Sequence, residues 1–333
     1  MRVIFCGLLG AALLSAQVST TSIRPAAVAG NAPGVASART TRETRKAAIA
    51  APTLGFLMDS SGTGLVPIDG TPESAALGEE IPKPEGVSRI YLPPRQHYAL
   101  VEENQTQTMA VWHLARRHVA AGHEVLDAVA GASGHPDSVA FSPKGTAAAL
   151  YFSASRSVQV VTGLPGKPVV QPAIAVTAAS EPKIFALSDD GQVLAAVDGN
   201  GQLELATPAT SSQMQATSFV FAPLAMNFVA GTHDLAVSDA QQKQLLLLRQ
   251  VDAPVSAPAV IGSGLQPDSL ASTSDGAAMI ALDTAHQNLW QIDAKKLSIA
   301  PIGSANVPAT LATLRDGHTF LVSTAPLTIV TSK

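Results

Sequence analysis

The chain has 333 residues, 46% of them hydrophobic, 14% charged and only 4% aromatic, so a sizeable core built from small and branched side chains is expected. The formal net charge is -4, with no basic stripe along the body of the chain, which excludes nucleic acid as the main partner because phosphate binding needs clustered Lys and Arg.

The chain opens with Arg2, a short apolar run from Val3 to Leu14, and the small residues Ser15 and Ala16. This is the pattern of an export signal cleaved after Ala16, and the run is too short to span a bilayer. A mature protein without residues 1–16 has no transmembrane segment and is expected in the periplasm or outside the cell. It also loses Cys6, the single cysteine, so packing rather than a disulfide must stabilise it. Gln17 to Ala51 is rich in Ser, Thr, Ala, Gly and Pro and carries Arg24, Arg39, Arg42, Arg45 and Lys46 against Glu43. It reads as a flexible basic linker.

From residue 52 onward, apolar stretches of four to seven residues alternate with turn residues, and no window shows a sustained helical period. An all-β domain over residues 52–333 is expected. A phrase recurs within it: His135-Pro136-Asp137-Ser138-Val139-Ala140-Phe141 leading to Gly145, Glu181 to Gly191, Gln266 to Gly276, and Val307 to Gly317. In each copy a Pro opens an apolar strand and a Gly stands nine positions later. Degenerate copies begin at Glu85, where Pro93-Pro94 occupies the turn, and at Ala222. The mean spacing is about 44 residues, room for four strands. A lone four-stranded sheet would expose two apolar faces and two edges, and a ring of such sheets buries the faces against neighbours.

The fold expected is therefore a β-propeller, six blades being favoured and seven possible, of four antiparallel strands each. The hairpin near residues 55–68 would complete the C-terminal blade and close the ring. The stretch Leu327 to Val330 is one strand too many for six blades.

The repeated phrase, carried by Pro136-Asp137-Ser138-Val139-Ala140-Phe141-Ser142-Pro143-Lys144-Gly145 and its copies through Gly317, resembles the bacterial β-propellers with YVTN- or NHL-like repeats. No recurring Trp-Asp ending resembles the WD-repeat group. The resemblance implies a binding scaffold, with occasional enzymes among its members.

Candidate chemistry is sparse. No Gly-x-Ser-x-Gly elbow is present, and Ser180-Glu181-Pro182-Lys183 matches Ser-x-x-Lys only where a loop enters a strand. His113, His118 and His123 are spaced five apart, which alternates faces on a strand and reads as solvated. Asp198 to Glu204 carries Asn200-Gly201, a tight hairpin turn rather than a calcium loop. Trp112 and Trp290 fall in third strands and are expected to pack between sheets.

Asp137, Lys183 and Asp268 hold equivalent places just after the opening Pro, near the mouth of the central channel, and are the candidate binding residues. No catalytic residue, metal site or cofactor is expected. The favoured function is an exported, non-catalytic propeller that binds an unknown protein or small-molecule ligand through one rim. The alternative is a lactonase-like propeller hydrolase with its site at the channel mouth.

Overall fold

The computed structural model describes residues 51–59, 62, 64–114, 126–176, 181–254, 257–304 and 309–332. The signal peptide and all of the linker before Ala51, with Cys6, lie outside the described residues, as do His118, His123 and Ser180. Among the described residues the chain forms antiparallel sheets and one short 3-10 turn at Pro72–Ser74. No helix among them is long and apolar enough to cross a membrane.

Seven sheets follow one another along the chain. They are blade 1 (residues 53–82), blade 2 (87–133), blade 3 (138–175), blade 4 (184–220), blade 5 (223–263), blade 6 (269–304) and blade 7 (309–331). Blades 2, 4, 5 and 6 are simple four-stranded meanders in chain order. In blade 3 the outer edge is shared by two short strands, Val169–Val170 and Ile174–Ala175, both paired with Ser157–Thr162.

The count is seven rather than the favoured six because the two ends of the chain build separate, narrow blades. The hairpin Thr53–Met58 with Gly64–Asp69 does not pair with the C-terminal strands. It recruits Ala76–Leu77 and Ile81–Pro82 along its outer edge. Leu327–Thr331, the surplus strand, is the third and last strand of blade 7. The hairpin still closes the ring, by packing: Leu54, Leu57 and Ile68 of blade 1 meet Leu314, Leu321 and Ile329 of blade 7. One backbone bond, Arg315 N to Leu54 O at 2.9 Å, crosses the same seam.

Period-two alternation explains why the second strands read as unbroken apolar runs. Both faces of each are covered, so residues of both parities are buried. In Ala147–Phe152, Ala147, Ala149 and Tyr151 face blade 4, whereas Ala148 and Leu150 face blade 2. In Leu194–Val197, Leu194 and Ala196 face blade 3, whereas Ala195 and Val197 face blade 5. The frequent Ala at these positions lets neighbouring sheets approach closely with few aromatics.

The recurring Gly ends each first strand. Gly145 N donates to Ser142 O, Gly191 N to Ser188 O, Gly276 N to Thr273 O and Gly317 N to Leu314 O, at 2.8–3.0 Å. All four glycines have φ between 66° and 76°, the left-handed region that side chains with a Cβ avoid.

Candidate functional site

The ring has two rims. First strands begin at the leading rim, where second strands also turn into third. First strands turn into second at the opposite one, the turn rim.

Asp137, Lys183 and Asp268 stand at equivalent places on the leading rim. Their backbone nitrogens donate to Tyr151 O, Val197 O and Leu282 O at 2.8, 2.8 and 2.9 Å, each adding a rung before its first strand begins. The Asp137 carboxylate accepts from Ser153 N and Ser153 Oγ at 2.6 and 2.7 Å, and these bonds hold it below the usual carboxylate range. Asp268 Oδ2 likewise accepts from Thr284 Oγ1 and Thr284 N, while its Oδ1 is buried without a hydrogen-bond partner. Both carboxylates thus pin the start of the first strand to the next turn of the same blade.

Asp137 and Lys183 meet across the seam between blades 3 and 4, in a groove of about 370 Å³ that Glu181, Tyr151 and Phe185 also line. The Tyr151 and Phe185 rings lie 5.1 Å apart there. Asp268 stands on blade 6, with blade 5 intervening, and does not join them.

The other residues singled out in the sequence take the following places. His113 pairs with Asp127 at 2.9 Å on an exposed surface. Asp198 Oδ1 accepts from Asn200 N and Gln202 N at 2.9 Å each, and Gly201 sits at φ 87°, a hairpin turn. Trp112 is 1% exposed and packs with Phe56 and Leu65 between blades 1 and 2. Trp290 packs between blades 5 and 6. Among the described residues no group of three or more His, Cys, Asp and Glu is placed to hold a metal ion.

The turn rim carries a feature that the sequence reading missed. A groove of about 670 Å³ runs over blades 3 to 5, lined by Lys144, Thr146, Asp189, Asp190, Gly231 and His233 among others. Asp189 bridges both neighbouring blades: its Oδ1 accepts from Lys144 N at 2.6 Å and its Oδ2 from Gly231 N at 2.7 Å. Beside it, His233 lies between two carboxylates, Nε2 at 3.0 Å from Asp190 Oδ2 and Nδ1 at 2.8 Å from Asp252 Oδ2. Burial opposes the imidazolium, but Asp252 and Asp190 outweigh it and raise the His233 pKa. The only sequence signal was Asp189-Asp190 in the turn of blade 4, where blade 3 has Pro143-Lys144.

The cavity along the first strands has no charged side chain in its lining among the described residues. It measures about 520 Å³ and is lined by first-strand residues such as Leu57, Leu270, Ser272 and Leu311, together with Pro94, Gln96 and Asn227.

No protein-family model matches the chain, and no curated protein matches it in sequence. Among solved structures it is similar to a chain of hydrazine synthase from Kuenenia stuttgartiensis, with a TM-score of 0.54 and 12% identity over 87% of this chain and 98% of that one. At that identity the likeness shows the fold alone: the chain is a β-propeller.

Proposed function

We propose that this chain is an exported, non-catalytic propeller of the bacterial group with YVTN- or NHL-like repeats, which binds a protein or small ligand at its leading rim. The observation that carries the reading is the groove between blades 3 and 4. It joins an aromatic pair, Tyr151 and Phe185, to a cation and two carboxylates, Lys183, Glu181 and Asp137. The Lys183 ammonium has no ion-pair partner among the described residues, so it is free to meet a ligand. The buried Tyr151 and half-buried Phe185 form an apolar floor under exposed Lys183 and Glu181, which suits a mainly polar ligand with a small apolar contact.

A photo-crosslinking residue placed at Lys183 and, separately, at exposed Gln250 tests the rim in cells. A discrete adduct from position 183 alone supports the reading, and an adduct from position 250 alone overturns it. Export is tested by the mass of the mature chain, expected to begin at Gln17.

One observation favours the hydrolase alternative. Burial, then the nearby Asp198, raises the Glu204 pKa, and its Oε2 is buried without a hydrogen-bond partner. A carboxyl pushed up by burial and a neighbouring acid is a feature met in acid–base catalysis. Glu204 is 5% exposed and lies opposite Ala196, on the face turned to blade 3 rather than to the channel. Turnover of short lactones that disappears in Glu204→Gln would establish the alternative over the binding reading.

A further inference from the structure

We propose that the mouth of the central channel on the turn rim is an anion site, in which Arg95 and Arg315 hold the carboxylate of a small organic acid whose apolar remainder lies in the channel.

The first observation is a break in the repeat. In the first turn of blades 1, 3, 4, 5, 6 and 7 a glycine takes the left-handed conformation: Gly62, Gly145, Gly191, Gly231, Gly276 and Gly317. Blade 2 alone puts two side chains there, Arg95 at φ 66° and Gln96 at φ 40°. Gln96 N donates to Pro93 O at 3.3 Å, the same turn bond that glycine makes in blades 3, 4, 6 and 7. Left-handed non-glycine residues cost about 1 kcal/mol or more each and collect at functional sites.

The second observation is what the strained turn holds in place. Gln96 is 2% exposed, and its Oε1 accepts from Phe56 N at 2.6 Å, which clamps the turn to the first strand of blade 1. Arg95 reaches toward blade 7, where its Cδ lies 3.6 Å from the position a Cβ on Gly317 would occupy. Its Nε is buried and has no hydrogen-bond partner. A buried donor left unpaired costs about 1–3 kcal/mol and asks for an acceptor.

The third observation is a second guanidinium at the same place. Arg315 Cζ stands 5.8 Å over the ring of Phe56, the residue whose nitrogen Gln96 holds. Burial lowers the Arg315 pKa, and neither arginine forms an ion pair or a side-chain hydrogen bond among the described residues. After burial, Arg315 and Arg95 both oppose protonation of His97, so positive charge is gathered here without a counter-charge. The nearest acids along the turns are engaged: Asp316 accepts from His318 N, Thr319 N and Thr319 Oγ1, and Asp275 from Ala277 N and Thr273 Oγ1. An incoming carboxylate would accept the two guanidinium forks, the geometry for which Arg is suited. Phe56, under the Arg315 guanidinium, and Pro94 and Gln96, on either side of Arg95, also line the cavity of about 520 Å³, whose lining carries no charged side chain and would take the apolar tail.

The site lies on the rim opposite Lys183 and does not depend on the leading-rim reading. The test is titration calorimetry on the full mature chain at fixed ionic strength, with acetate, butanoate, hexanoate, hexanamide and inorganic phosphate. Saturable binding that tightens from acetate to hexanoate, with hexanamide at least tenfold weaker, is the expected result. Arg95→Gln and Arg315→Gln are each expected to weaken hexanoate at least tenfold and Arg315→Lys to weaken it less than Arg315→Gln, whereas Lys243→Gln, exposed on the leading rim, stays within a few-fold. Melting temperature is followed for every variant, so that loss of fold is not read as loss of the site. Absence of saturation with any carboxylate, equal affinity for hexanamide, phosphate as tight as hexanoate, or unchanged binding in Arg95→Gln would each overturn the proposal.

Discussion

Gln96 shows how one side chain can be held in an unfavourable backbone conformation by what it bonds. Its carboxamide fills a gap so tight that a Cβ on Gly55 would stand 2.5 Å from Gln96 Oε1. Gln96→Ala keeps the left-handed strain and leaves Phe56 N buried and unpaired, so it should destabilise by about 1–3 kcal/mol, read as a fall in calorimetric melting temperature. His233 makes a second residue-scale prediction. Its pKa is raised in the folded state, so its stabilisation is complete below the unfolded value of 6.5 and is lost as pH rises through the folded value. The Asp190 carboxyl moves the other way: burial opposes its charge, but the bonds from Ser188, Gln192 and His233 win and lower its pKa. Its contribution is present above its ordinary value and disappears in acid. Melting temperature measured against pH should therefore decline on the alkaline side of 6.5, and His233→Gln should flatten that limb.

At the scale of the blade, the Pro-to-Gly phrase was legible because it encodes a strand and the turn that ends it. Its glycine matters for space as well as conformation. A Cβ on Gly276 would press into the backbone carbonyl of Ala230 on blade 5, whereas one on Gly264, also left-handed, would meet open space. Gly264→Ala should cost about 1 kcal/mol from conformation alone, and Gly276→Ala clearly more, by denaturant titration. The blade count was harder to read because Ala76–Leu77 and Ile81–Pro82 are too short to announce a strand, which made the first hairpin look incomplete. The equivalence of Asp137, Lys183 and Asp268 was legible from register. The copy at Ala222 already sets Asp268 apart from the adjacent pair, but the groove that Asp137 and Lys183 share across their seam depends on packing that sequence does not show. Arg95 is hard to single out in sequence because Pro93-Pro94 already marks the turn, and only the backbone shows that Arg95 and Gln96 take the left-handed place of glycine.

Around the whole ring, six seams join blades consecutive in sequence, and the seventh joins the two ends of the chain. That closing seam is packed by side chains such as Leu314 and Ile68 and crossed by the Arg315 N to Leu54 O bond, but, unlike the other six, it has no chain segment linking its two blades. Local opening should begin there, so amide exchange of blades 1 and 7 should be faster than that of blades 3 to 5. The repeated residues build the ring, and the blade-specific residues on its rims differ in what they present. The proposed anion site lies where the repeat is broken, at Arg95-Gln96. The most direct test writes the Asp-Gly of blades 4, 6 and 7 into blade 2, as Arg95→Asp with Gln96→Gly, and titrates the folded protein with hexanoate. A melting temperature within a few degrees of the parent, with hexanoate binding reduced at least tenfold, is the predicted result. A folded variant that binds hexanoate as well as the parent would contradict it.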